Sequence, residues 1–121
     1  MMKVIVSTSG KDLDSSVDPR FGRAPYFLLV DTETWETELV ENKQNLQAPQ
    51  GAGIQAASLV ARYKPGAVLT GHCGPKAFQT LQAANIPVAT GAQGTVKEAV
   101  EKFNKGEYSY SNSPDVEGHW V

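Results

Sequence analysis

The stretch Ala67-Val68-Leu69-Thr70-Gly71-His72-Cys73-Gly74-Pro75-Lys76-Ala77-Phe78 passes from an apolar run, through a glycine-bounded turn, into a segment that opens on proline. The apolar run has strand length. Proline suits a first helical position, because the N–H it lacks would be unpaired there anyway. Ala77, Phe78, Leu81 and Ala84 then recur at helical spacing and mark a buried stripe. The same succession returns downstream. Residues 86–89 read as a strand, with Pro87 near its start where a missing donor does least harm. Residues 91–94 form a loop, and Thr95 with Glu98 has capping-box spacing. Val96, Ala99, Val100 and Phe103 stripe a last helix, which Lys102 and Lys105 suit at its negative end and Gly106 closes.

Upstream, residues 3–7 read as a strand whose Val4, Ile5 and Val6 imply cover on both faces. Residues 26–31 and 36–41 form a hairpin, the second strand at an edge. A helix from about residue 53 to 63 places Ala52, Ala56, Leu59, Val60 and Tyr63 on one face, and Pro65-Gly66 ends it. The order is βββαβαβα, which implies a mixed α/β sheet of five strands with helices on its faces. If the last two strands add beside the first, the chain departs in opposite directions from the first and fourth strands. Ligands bind at such switch points, beyond the strand carboxyl ends. The loops there are residues 7–25, 70–75 and 90–95, and the polar, glycine-rich composition concentrates in them. Residues 7–25 read as a long structureless connection, a kind of loop that is usually functional.

The chain has 121 residues, which is one domain over 1–106 and a C-terminal tail over 107–121. Eleven Lys and Arg stand against thirteen Asp and Glu, so no basic excess exists for nucleic-acid binding. One cysteine, Cys73, makes no internal disulfide and builds no CxxC metal site alone. No apolar run approaches the roughly 18 residues of a membrane span. A cytoplasmic protein, without nucleic-acid or membrane partners, is expected.

Gly71 to Gly74 feeds a helix N-terminus, where unpaired N–H groups and the helix dipole favour an anion. Gly91, Gly94 and Thr95 form a second such turn, which the complete capping box accounts for simply as a well-capped helix, while a plain strand-to-helix turn is as good a reading of Gly71 to Gly74. His72 and Cys73 are candidate metal ligands, against the plainer readings of a turn residue and a small core side chain. Arg20 and Arg23 could clamp an anion, or pair with Asp12, Asp14 or Asp18. Lys76 adds charge, and Phe21 and Ile54 could supply apolar wall. Gly51, Gly53 and Ala56 fit a dinucleotide fingerprint by spacing alone, in the wrong context. The aspartates of the first loop suggest a metal-dependent nuclease only remotely, since they cluster in one loop.

Four stretches in order resemble one known family. They are Asp18-Pro19-Arg20-Phe21-Gly22-Arg23-Ala24-Pro25-Tyr26-Phe27, Gly51-Ala52-Gly53, Gly71-His72-Cys73-Gly74-Pro75-Lys76-Ala77-Phe78, and Gly94-Thr95-Val96-Lys97-Glu98-Ala99-Val100. Together they resemble the dinitrogenase iron–molybdenum cofactor biosynthesis family of nitrogenase accessory factors. Val6-Ser7-Thr8, residues 47–57 and Glu117-Gly118-His119-Trp120 resemble its orange-protein branch. The resemblance implies a ribonuclease-H-like fold, no enzymatic turnover, and binding of a preformed metal–sulfide cluster. That cluster is of iron–molybdenum cofactor type in the family and an anionic molybdenum–copper sulfide in the branch, where no cysteine ligates it. The same branch implies possible ATPase partners, so a protein-interaction module without cluster is the alternative function. A monomer or weak dimer is expected.

Overall fold

Val4, Ile5 and Val6 are consecutive β-branched residues, and all three are fully buried. Only a central strand covered on both faces allows this. In the computed structural model, which describes residues 2–43 and 51–111, that strand is β1 (Lys3–Thr8). It lies third in a five-stranded sheet of order β3-β2-β1-β4-β5. β2 (Tyr26–Asp31) runs antiparallel to β1, and β3 (Thr37–Glu41) antiparallel to β2. β4 (Ala67–Leu69) lies parallel to β1, and β5 (Val88–Ala89) parallel to β4. The fourth and fifth strands therefore add beside the first, which meets the condition for a switch point between β1 and β4.

The pleat sorts the apolar residues into two cores. Ile5, Leu29, Val68 and Val88 face α1 (Ala52–Ala61) and α2 (Pro75–Ala83). Val4, Val6, Leu28, Val30 and Leu69 face α3 (Val96–Asn104). The result is the expected three-layer α/β/α fold in the order βββαβαβα. α1 ends at Ala61, before Tyr63; it buries Ala52, Gly53, Ala56, Ala57 and Val60, with Leu59 packed partly buried against the same core. Tyr63 donates its N–H in the turn that closes the helix and remains exposed. Small residues on this face let α1 lie close to α2 and the sheet.

The first connection is not structureless. Val17, Phe21 and Ala24 are buried, and backbone bonds stitch the segment to all its neighbours. At the other end of the chain, the tail begins docked rather than loose. Ser111 donates its N–H to Val88 O at 2.7 Å along the outer edge of β5, and Tyr108 packs against the α3-side core. Residues 112–121, and with them Glu117-Gly118-His119-Trp120, lie outside the described residues, as do residues 44–50. Among the described residues, no helix is long and apolar enough to cross a membrane.

Candidate functional site

β1, β4 and β5 are parallel, so their carboxyl ends open on one edge of the sheet and bring the three glycine-containing loops together. The contacts between them are mostly backbone to backbone. His72 N–H donates to Pro19 O at 2.7 Å, and Phe21 N–H to His72 O at 3.2 Å. This short parallel ladder sets Arg20 beside His72. Val17 N–H donates to Gly94 O, Gly91 N–H to Gly71 O, and Ala92 N–H to Thr70 O. The loops at 8–25, 70–75 and 90–95 thus form one surface.

Gly71 explains why the surface is so close-knit. A Cβ there would stand 2.7 Å from Pro19 Cα and 2.8 Å from Pro19 O. Both atoms are backbone, so any side chain would push the first loop away. Gly74 differs, because its φ of −76° and ψ of 171° are extended values open to any residue. The close approach at Gly71, and not the conformation at Gly74, is what requires glycine in this turn.

α2 begins without a cap. Its N-cap is Gly74, which makes no side-chain cap bond, and the first turn holds no acid. Pro75 has no N–H, and the amides of Lys76 and Ala77 lack intrahelical partners by position. Lys76 is exposed in this first turn, at the positive end of the helix dipole. Its charge is unfavourable to the bare helix by roughly 0.3–1 kcal/mol, and an anion at the helix start would reverse that sign. Arg20 stands on the adjoining loop with its side chain 52% exposed. Its Nε is 4.0 Å from Asp18 Oδ1, which already accepts the Arg20 N–H at 2.9 Å. The internal pair foreseen for Arg20 therefore exists, but it is long and leaves the side chain about half exposed.

α3 begins closed. Thr95 Oγ1 accepts the Glu98 N–H at 3.1 Å, and Glu98 Oε1 accepts the Thr95 N–H at 2.9 Å. The Thr95 N–H and hydroxyl hold the Glu98 carboxyl below its ordinary value, with Lys102 adding a smaller pull. Gly91 and Gly94 sit at φ of 81° and 83°, so this turn uses glycine for its conformation. The amides of Gly91 and Ala92 serve loop-to-loop bonds.

The remaining predicted residues fall in different places. Phe21 is fully buried and its ring lies 5.1 Å from that of Phe27, so it builds core instead of an open wall. Cys73 is fully buried in the same core, its thiol 3.8 Å from Gly74 O. That is the environment of a small apolar side chain. His72 and Arg23 are half-buried and each is engaged by a partner. Ile54 is exposed on the outer face of α1, beside Ser58 and Arg62. The first-loop aspartates serve local turns: Asp12 Oδ1 accepts the Asp14 N–H and the Ser15 hydroxyl. Among the described residues, no group of three His, Cys, Asp or Glu could hold a metal ion. A set of protein thiolates and imidazoles does not fit the site, whereas N–H groups and cations do.

Sequence reasoning missed the joint beneath the loops. Ser7 and Thr70 are fully buried hydroxyls 2.7 Å apart, and Ser7 also donates to Asp18 O. Polar residues closing two apolar strands were the available signal. At the opposite edge of the sheet, a cleft of about 370 Å³ is lined by Lys3, Asp31, Glu36 and Glu38 among others. The N–H groups of Thr34 and Glu33 keep Asp31 below the ordinary carboxylate range. That rim carries more negative than positive side chains, the wrong sign for an anion.

The sequence model described as dinitrogenase iron–molybdenum cofactor matches residues 2–106. The structure of the apo form of the orange protein from Desulfovibrio gigas is similar at 43% identity and a TM-score of 0.92, over 96% of this chain and 98% of that one. An NMR structure of a Thermotoga protein of the DUF35 family is similar at 32% identity and a TM-score of 0.79, over 96% of this chain and all of that one. An uncharacterised protein of Methanocaldococcus jannaschii is 27% identical over 111 residues, 88% of this chain and 93% of the relative. The loop edge, the mixed sheet and the matched span agree, and the chain belongs to the dinitrogenase iron–molybdenum cofactor family.

Proposed function

We propose that this chain binds an anionic metal–sulfide cluster as cargo at the α2 side of the loop edge, and that it catalyses no turnover. The cluster is a molybdenum–copper sulfide, or one of iron–molybdenum cofactor type. The observation that carries the reading is the uncapped start of α2, flanked by Arg20 and Lys76 on a surface locked together through Gly71. A metal–sulfide anion presents soft sulfur acceptors and delocalised negative charge. N–H groups at a helix start and one or two cations answer both, with no thiolate needed. Membership of a family named for such a cofactor, and likeness to a protein solved in an apo form, support the same reading. His72 and Gly74 adjoin the cargo in this reading, Arg23 stands on the first loop, and the site keeps Cys73 as core. A cytoplasmic monomer or weak dimer fits a carrier.

Titrating the apo-protein with tetrathiomolybdate and copper tests this. Saturable visible bands that survive desalting are expected. A protein that stays colourless with its fold intact contradicts cluster binding and favours the alternative, an interaction module whose partners are ATPases.

A further inference from the structure

The hydroxyls of Ser7 and Thr70 close β1 and β4 one step beyond the Val6–Leu69 register pair, both with no exposed surface. Direction follows from counting protons. Asp18 O is a carbonyl and only accepts, so the single Ser7 hydroxyl proton lies in the 2.8 Å bond to it. The 2.7 Å bond between the two hydroxyls is then donated by Thr70. The relay runs from Thr70 through Ser7 to Asp18. Asp18 in turn donates its N–H to Ser7 O, and its carboxylate accepts the Arg20 N–H. Thr70 O also accepts the Ala92 N–H, so one residue joins all three loops. An apolar pair would fill two strand ends facing a hydrophobic core, but it would leave Asp18 O without its side-chain donor.

We infer that Thr70 and Ser7 are positioning residues, which fix Asp18 and through it set Arg20 against the start of α2. The inference rests on the anion-binding reading of that site. Thr70→Val keeps the shape and removes the proton, and Thr70→Ser restores it. Affinity for tetrathiomolybdate with copper should fall about threefold to tenfold in Thr70→Val, the size of one uncharged hydrogen bond, and return in Thr70→Ser. In an Arg20→Ala background the same Thr70→Val change should cost less than about twofold, because the coupled partner is gone. Ser7→Ala is the second variant, and should behave as Thr70→Val does. Wild-type affinity in Thr70→Val and Ser7→Ala, or losses that simply add to that of Arg20→Ala, would overturn the inference. If wild type binds no probe, the cluster reading fails by itself. The positioning role is then read from amide shifts in the ligand-free protein. Displaced Asp18 and Arg20 signals in Thr70→Val support it, and unchanged ones overturn it.

Discussion

The starts of α2 and α3 are built from similar sequence, a glycine-bounded turn leaving a parallel strand, and they end in opposite states. At α3 the chain satisfies itself, with Thr95 and Glu98 exchanging both capping bonds. At α2 the cap is a glycine without a side chain, the first turn has no acid, and a lysine stands where the dipole disfavours it. Glycine also serves different ends. Gly91 and Gly94 supply positive φ with open space or a flexible carboxylate beside them, whereas Gly71 is pressed on the Pro19 backbone. A glycine turn into a helix is therefore no site by itself. The side chains of the first helical turn decide whether its amides are already claimed.

The contrast breaks most severely at Gly71. Gly71→Ala inserts a Cβ into the Pro19 backbone, and overpacking of this kind costs roughly 1–3 kcal/mol. Cluster affinity should fall more than tenfold alongside a lower melting temperature, because the loop carrying Arg20 must move. The matched change Gly91→Ala meets no atom within 4 Å and should cost only its positive φ, roughly 1–2 kcal/mol, with affinity kept. Equal affinity losses in the two variants would erase the distinction between the turns.

Charge comes next. Arg20→Ala should weaken cluster retention by about ten- to a hundredfold, since a hydrogen bond to a charged group is worth roughly 1.5–3 kcal/mol. Its melting temperature should hardly change, because the long exposed pair with Asp18 contributes at most about 1 kcal/mol. Lost stability with unchanged binding would make the arginine structural.

At α3 the expected pattern inverts. Thr95→Ala should cost roughly 0.5–2 kcal/mol of stability, the range for an N-cap hydroxyl, and change affinity less than about twofold. The Glu98 carboxyl is held below its ordinary value, so its contribution is present above the unfolded pKa and lost as pH falls through the lower folded one. The stability gap between wild type and Glu98→Gln, followed by denaturant titration, should therefore narrow as pH drops below about 4. A gap that widens in acid would reverse the sign.

Cys73 sharpens the comparison with the smallest effect on binding. Cys73→Ala removes one buried heavy atom and should cost about 1 kcal/mol of stability while keeping affinity within about twofold. Loss of the visible bands with the fold intact would make the sulfur a ligand.

The element order and strand order were legible because periodicity and the glycine and proline signals agreed along most of the chain. The first connection was not, because Val17, Phe21 and Ala24 are buried singly, at no spacing that marks a strand or helix. Phe21 therefore looked like wall for a ligand and proved to be a core partner of Phe27. Tyr63 matched the stripe of α1 but lies beyond its last turn at Ala61. Within the site, the loops could be assigned to one edge from topology alone. Which amides remain outward could not, because the bonds from His72, Gly91 and Ala92 run between residues far apart in sequence.

The most direct measurement is a proton–nitrogen correlation spectrum of the labelled apo-protein, titrated with tetrathiomolybdate and copper. The account predicts the largest amide shifts at Arg20, His72, Gly74, Lys76 and Ala77, with small ones at Val96 to Glu98. Shifts centred on the start of α3, on the acidic cleft at the opposite sheet edge, or absent altogether would contradict it.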